Sequence, residues 1–386
     1  MKNAIFRNLF LTLAFTFFFV CGVSAEGKIS AETVEFISSL GEGWNLGNTF
    51  DASSYRNRDN LGNDSETKWG MPLTTKEMIQ AIRAQGFKTI RIPVSWHNHI
   101  ISQKNEVYTV DTLWLKRIRT VVDWSLGAGL FVIINLHHDN LSEAQMKHCY
   151  GYCVTSNSDI KVRSKAYLNS VWSQVADEFK DYDEKLIFEV LNEPRCVGTS
   201  YEWRGEGKEI SDANKIICEY EKVCLKAIRG AGGKNADRYV MIPSYAAKHD
   251  LTANWSLPDD SAGRLIVSVH AYAPYEFCMK DDGGKNFIRK HERSISKLFE
   301  SLKNNYISKG MPVIISETGA SDKANLEERI KWTNSYISQA KEANIPVILW
   351  DNMVTYPNGG NGERYGYFNR KNLTWFYPEL VEFAKE

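Results

Sequence analysis

The sequence predicts an α/β protein built as one (β/α)8 barrel, and three observations predict it. Short apolar, β-branched runs recur eight times along the chain. Helical patterns with capped ends separate most of them. The polar residues with chemistry to offer gather at the C-terminal ends of those runs, which is the end where such a barrel carries its working loops. The runs are apolar on both faces rather than alternating, as strands of a buried parallel sheet are.

In order, the runs are GWNL (43–46), KTIRIPV (88–94), LFVIINLH (130–137), LIFEVLN (186–192), YVMIPS (239–244), LIVSVHAY (265–272), PVIISE (312–317) and PVILWDN (346–352). Between the first two, residues 74–86 read as a helix that starts on threonine caps, turns Met78, Ile79 and Ile82 inward and stops at Gly86. Residues 111–129 place Leu115, Ile118, Val122 and Leu126 at three- and four-residue steps. Segments 161–180, 211–230, 286–309 and 324–343 follow the same pattern. The weakest stretch is 245–264, where only a degenerate helix fits, and an open doubly wound sheet is the competing fold.

The remaining composition narrows the class. The chain has 386 residues, 43% hydrophobic and 24% charged, with zero net charge. That balance argues against nucleic acid and anionic membranes as partners. Lys2 and Arg7 flank an apolar run that ends in small residues, the pattern of a secretory signal peptide over 1–25. An uncleaved anchor is the alternative, although the run is short for a span. The mature unit, 26–386, is expected to be a secreted, monomeric catalytic barrel without a membrane segment. Six cysteines remain after cleavage; an even count in an exported chain allows one to three disulfides, and Cys149 and Cys153 are close enough to staple a loop. No cofactor and no metal are expected, since no histidine pair has finger-like spacing.

Two glutamates end predicted strands four and seven, Glu193 in EVLNEPR and Glu317 in ISETGA. On a closed barrel they face each other across the mouth. Glycosidic cleavage needs such a pair, one carboxyl to protonate the departing oxygen and one to attack carbon or activate water. Alone, an Asn-Glu-Pro after a strand is equally a helix cap followed by a first-turn proline. Arg91, His137, His138, Asn192, His270, Tyr272 and Trp350 end other strands or lie just beyond them, and their convergence favours the chemical reading.

These motifs also carry a resemblance. GWNLGNTFDA, RIPVSW, NLHHDN, EVLNEPR, VHAYAP and ISETGA, in order over residues 40–352, resemble the strand signatures of glycoside hydrolase family 5 and its secreted endo-β-1,4-glucanases. The resemblance implies a retaining barrel enzyme acting on β-glucan polysaccharide, with Glu193 as acid/base and Glu317 as nucleophile. It further implies supporting roles for Arg91, His137, Asn192, His270 and Tyr272, and sugar contacts for Asn48, Asp51, Trp96, His138 and Trp350. Arg91 is expected to hold Glu317 ionised, and Glu193 to be kept protonated by burial or by the charge on Glu317. Of the two adjacent histidines, His137 is expected to aim into the site. Family members often read Gly-Glu-Phe-Gly on strand seven, whereas Ser316 and Thr318 flank Glu317 here.

Trp69 and Trp203 fall on loops and suit rim platforms for sugar, whereas Trp114, Trp124, Trp172 and Trp332 fall on helices and suit packing. Cellulose and mixed-linkage β-glucan are the leading substrates. Xyloglucan, mannan and a silent sugar-binding barrel are the alternatives, and the intact carboxylate pair argues against the last.

Overall fold

The computed structural model describes residues 29–205, 207–359 and 363–385; the expected signal peptide lies outside them. Strands β1 (Gly43–Asn45), β2 (Thr89–Ile92), β3 (Phe131–Asn135), β4 (Leu186–Glu189), β5 (Val240–Pro243), β6 (Leu265–His270), β7 (Val313–Thr318) and β8 (Val347–Leu349) close into one barrel in sequential order. Every barrel pairing is parallel, and β8 returns to β1. All eight runs read from the sequence are strands.

The helices follow their local signals. Helix α1 (Ala31–Leu40) precedes the barrel, and Phe36, Ile37 and Leu40 pack on inward residues of six strands: Ile133, Ile187, Met241, Ile266, Ile314 and Ile348. Helix α2 (Lys76–Gln85) begins where the Thr75 hydroxyl accepts the Met78 N–H and ends at Gly86, whose φ of 114° needs a glycine. The Asp111 side chain caps α3 (Thr112–Gly127). Helices α4 (Ser158–Glu178), α5 (Lys208–Gly230), α6 (Arg289–Asn305) and α7 (Leu326–Glu342) complete the outer ring.

The degenerate helix expected at 245–264 does not form. A single 3-10 turn, Tyr245–Ala247, follows β5. The rest of that crossover is held to α5 by side chains: Asn214 Nδ2 donates to the carbonyls of Leu251 and Ala253, and Trp255 Nε1 to Glu221. The two Asn214 bonds satisfy backbone carbonyls that a helix would have satisfied internally. The disulfide expectation also fails. All six cysteines are free thiols, five of them buried, and Cys149 and Cys153 share a small apolar cluster with Leu141, Met146 and Ile160, acting as small hydrophobes.

Strand β7 carries one residue more than its neighbours accommodate. Against β6 the register slips between Val269, opposite Ile315, and His270, opposite Glu317. Against β8 it slips between Val347, opposite Ile315, and Leu349, opposite Thr318. Such a bulge lets two successive side chains share a face. Ser316 bonds Ser268 and Glu317 bonds Arg91, so both point into the barrel.

Candidate active site

Arg91, the third residue of β2, is fully buried and organises the mouth. Its Nη1 donates to Glu317 Oε1 at 2.7 Å and to Asn45 Oδ1 at 2.9 Å. Nη2 donates to Asn192 Oδ1 at 2.7 Å, and Nε to Glu189 Oε2 at 2.8 Å. A guanidinium only donates, so Asn192 must turn its oxygen to Arg91 and its NH2 the other way. Asn45 spends its own NH2 on the Ser316 carbonyl. The fork of Arg91 thereby sets the positions of residues from β1, β4 and β7 together.

Glu189 is the acid that sequence reasoning missed. It is fully buried, and besides Arg91 it accepts from Asn135 Nδ2 at 2.8 Å and Ser268 Oγ at 2.5 Å. Its signal was present: Asn45, Asn135, Glu189 and Ser268 are single polar residues inside otherwise apolar runs, a pattern that demands internal partners.

Glu193 and Glu317 each present a carboxylate oxygen within 4.8 Å of the other. His270 lies between them, with Nδ1 2.8 Å from Glu193 Oε1 and 3.5 Å from Glu317 Oε2. The Tyr272 hydroxyl donates to Glu317 Oε2 at 3.2 Å.

The charge states differ from expectation. For Glu317, burial pushes the carboxyl above its usual range, and the nearby charges of His270 and Arg91 only partly oppose it. The charge of Glu193 adds to the upward push, and Arg91 is paired with Glu189 as well as with Glu317. For Glu193, burial also works upward, but the His270 hydrogen bond and the His270 and Arg195 charges outweigh it and bring the carboxyl down to about 2. His270 is raised above the normal imidazole value: burial opposes its charge, and the two glutamates overcome that. The proton shared by His270 and Glu193 therefore rests on the imidazole side of their bond.

His137 accepts from Asn135 Nδ2 at its Nδ1 (3.0 Å). Burial and the surrounding positive groups hold it neutral, so Nε2 carries the proton. Its ring lies parallel to Trp350 at 5.8 Å. His137 is buried, whereas the His138 side chain is 32% exposed. Trp350 seats over Gly47, where a Cβ would stand 2.8 Å from the indole.

Two expected sugar contacts are corrected. Asp51 is fully buried, and its oxygens accept the N–H groups of Asn48 (3.1 Å) and Thr49 (2.7 Å). It holds the left-handed turn at Asn48, φ 57°, and cannot reach substrate. Trp96 is 1% exposed, with its Nε1 bonded to the Asn135 carbonyl; it is core. Asn48 and Trp350 stay partly open to the mouth. Trp69 is exposed beside His138 and Trp203 beside Arg195.

Two clusters bring metal-ligand atoms close together, Asp51–His137–His138 and Glu193–His270–Glu317. In the first, backbone N–H groups occupy both oxygens of Asp51, and Asn135 occupies Nδ1 of His137. In the second, Arg91, Tyr272 and His270 already engage the oxygens.

Residues 53–355 match the family described as cellulase, glycosyl hydrolase family 5. The chain is 41% identical to endoglucanase 1 of Ruminococcus albus over 91% of this chain and 80% of that one. It superposes on a GH5 lichenase from Caldicellulosiruptor sp. F32 with a TM-score of 0.84 and 37% identity, covering 92% and 95% of the two chains. It also superposes on a GH5-4 broad specificity endoglucanase from Ruminococcus champanellensis, with a TM-score of 0.83 and 36% identity over 92% and 98%.

Proposed function

The chain belongs to glycoside hydrolase family 5, and from that membership we propose that Glu193 is the acid/base and Glu317 the nucleophile of its endo-β-1,4-glucanase reaction. The protein hydrolyses internal β-1,4-glucosidic bonds with retention. The roles follow from the family membership, and the observation that carries the retaining mechanism is the spacing of the two carboxylates. Oxygens within 4.8 Å of each other suit a covalent intermediate, for which the groups stand about 5–5.5 Å apart, and leave no room for the water that inversion interposes at about 6.5–9.5 Å.

In the first step Glu317 attacks the anomeric carbon as the glycosidic C–O bond breaks, and Glu193 delivers a proton to the leaving oxygen. A glycosyl ester on Glu317 results. As Glu317 loses its charge to the new bond, His270 loses the carboxylate that most favours its proton, and the proton moves along the 2.8 Å bond toward Glu193. In the second step Glu193 takes a proton from water, the water oxygen bonds the anomeric carbon, and the ester releases Glu317. Arg91 and Tyr272 hold Glu317 in line, acting by position and fixed charge. Asn192, its oxygen held by Arg91, offers N–H to the sugar 2-hydroxyl. Trp350 supplies an apolar face at the cleavage point.

The substrate is cellulose-type or mixed-linkage β-glucan. Export is supported by the charged, apolar and small-residue pattern of 1–25. No helix among the described residues is long and apolar enough to cross a membrane. A monomer is the proposed working unit.

The test is sugar release from carboxymethylcellulose, barley β-glucan, xyloglucan and galactomannan in parallel, with NMR of the first-formed anomer. Release of the β-anomer from the first two substrates is expected. Cleavage of galactomannan alone, or an α-anomer, would overturn the assignment.

A further inference from the structure

A small pocket away from Glu193 and Glu317 gathers two guanidinium groups and no acidic side chain. It lies where four segments meet. The loop after β1 brings Arg58, and the hairpin between β2 and α3 (Ile100–Lys104 and Val107–Val110) brings Gln103 and Tyr108. The loop after β3 brings Cys149 and Tyr150, and α4 brings Arg163. The pocket volume of about 40 Å³ is roughly three times what one water needs, room for a small ion but not for a sugar ring.

Arg163 is half-buried, yet among the described residues no carboxylate, carbonyl or hydroxyl accepts from it. Every other arginine of the described residues that is buried or half-buried donates to a carboxylate or a carbonyl. Asp159, one turn earlier on α4, and Glu106, in the hairpin turn, are near in sequence and pair with neither arginine of the pocket. Taking a guanidinium partly out of water without an acceptor costs free energy, and a second cation facing the same space adds to that cost. Arg58 stands 4.9 Å from the centroid of the Tyr150 ring, and its protein acceptor is the Lys147 carbonyl at 3.3 Å. Both charges reach one group, the Tyr108 phenol: burial pushes it up, and Arg163 and Arg58 pull against that. Tyr108 is buried and meets Tyr150 edge-on at 5.7 Å, which gives the pocket a packed aromatic wall.

We propose that this pocket binds a small oxyanion, a phosphate, sulfate or carboxylate group, held between Arg163 and Arg58. Planar guanidinium forks match the paired oxygens of such groups, and the Gln103 amide and the Tyr108 hydroxyl are donors for the remaining oxygens. The anion supplies the acceptor that Arg163 lacks and cancels the repulsion between the two cations. It also clasps the loop after β1 to α4. That clasp adds to two exposed hydrogen bonds between the loops after β1 and β3, from Arg58 to the Lys147 carbonyl and from His148 Nε2 to the Tyr55 carbonyl at 3.1 Å.

The experiment is thermal melting and titration calorimetry of the whole chain with inorganic phosphate, sodium sulfate and sodium acetate, each against sodium chloride at equal ionic strength. Phosphate is expected to give saturable heat and to raise the melting temperature by about 2 °C at saturation. Arg163→Gln is expected to abolish both effects and, without added anion, to melt no lower than the wild type, because it removes an unpaired charge. Arg58→Gln is expected to weaken binding at least tenfold. A response to acetate equal to that of phosphate supports the site and assigns it to carboxylates; a response to phosphate and sulfate alone supports it and assigns it to tetrahedral anions. Wild-type protein without saturable heat would overturn the proposal. So would a rise in melting temperature that is the same in Arg163→Gln, which is the general effect of excluded salts. The readouts are heat and melting rather than sugar release, so failure here leaves the endoglucanase reading standing.

Discussion

His270 Nδ1 lies 2.8 Å from Glu193 Oε1, and that contact places the resting proton on the pair rather than on the acid alone. The two groups titrate together, so the pH profile reports the pair. The nucleophile must be ionised, and burial raises Glu317 above 4.5; the acid limb of kcat/KM is therefore expected above pH 4.5. The donor proton leaves with His270, which is raised above 6.5, so the alkaline limb is expected above pH 6.5. In His270→Asn only the Glu193 carboxyl can hold that proton, and the alkaline limb moves to lower pH. A variant profile that superimposes on the wild type would sink the shared-proton account.

Glu317→Gln is expected to lose glycosidic cleavage by at least 1,000-fold on every substrate while still binding oligosaccharide, because the amide cannot form the ester. Glu193→Ala is expected to lose activity on cellopentaose but to retain far more of the first step on dinitrophenyl cellobioside, which departs without a proton. Similar losses on both substrates would remove Glu193 from the acid role.

Glu189 shares Arg91 with Glu317. Glu189→Gln removes a competing charge, so Arg91 acts more fully on Glu317 and the acid limb moves to lower pH. The amide NH2 would also face donors from Arg91, Asn135 or Ser268. Breaking a buried pair in this way costs about 3–5 kcal/mol, so the melting temperature falls. An unmoved acid limb would show that Arg91 is not shared.

Gly47→Ala brings a Cβ to 2.8 Å from both the Trp350 indole and the Asp351 carbonyl. Either the ring or the backbone must move. Misplacement by about 1 Å costs on the order of 100-fold in rate, whereas the overpacking costs about 1–3 kcal/mol of stability. Kinetics and melting of the same variant separate the two, and unchanged kcat/KM would show that Trp350 does not need this seat.

Buried histidines and buried acids pull the pH dependence of stability in opposite directions. His97 and His99 titrate at about 3 and His138 at about 4 in the folded chain, each mainly through burial, against about 6.5 unfolded. Their contribution is complete above 6.5 and is lost as pH falls toward those values. Asp51 and Asp139 are raised by burial to about 7 from about 3.9 unfolded. Their contribution is present below 3.9 and lost as pH rises to about 7. His137 joins the histidine set and Glu221 and Glu317 the acid set, so the two sets oppose each other and the melting temperature is expected to change little between pH 4 and 6.5. A steep monotonic change across that range would show that one set does not titrate as burial requires.

The eight strands, six of the helices and the residues at the rim were legible because each has a local cause: apolar runs, caps, a stop glycine, a polar residue at a strand end. Glu193 beside Pro194 and Glu317 before Gly319 announce a pair through residue type and strand position alone. The crossover at 245–264 was not legible, because Asn214 and Glu221, on a helix earlier in the chain, supply its bonds. Glu189 was overlooked although it stands alone in an apolar run, since its partner Arg91 is 98 residues away. Asp51 and Trp96 have the chemistry of sugar ligands in sequence, yet burial gives them to the scaffold.

By itself, then, the sequence determined the order of strands and helices and which residue types meet at the barrel mouth, because periodicity and capping act over a few residues. Only the tertiary structure decided which carboxylate shares Arg91, where the spare proton rests and which aromatic rings remain open to a sugar. A β7 bulge turns Ser316 and Glu317 inward together, and charge, burial and register at that point are sums over strands far apart in the chain.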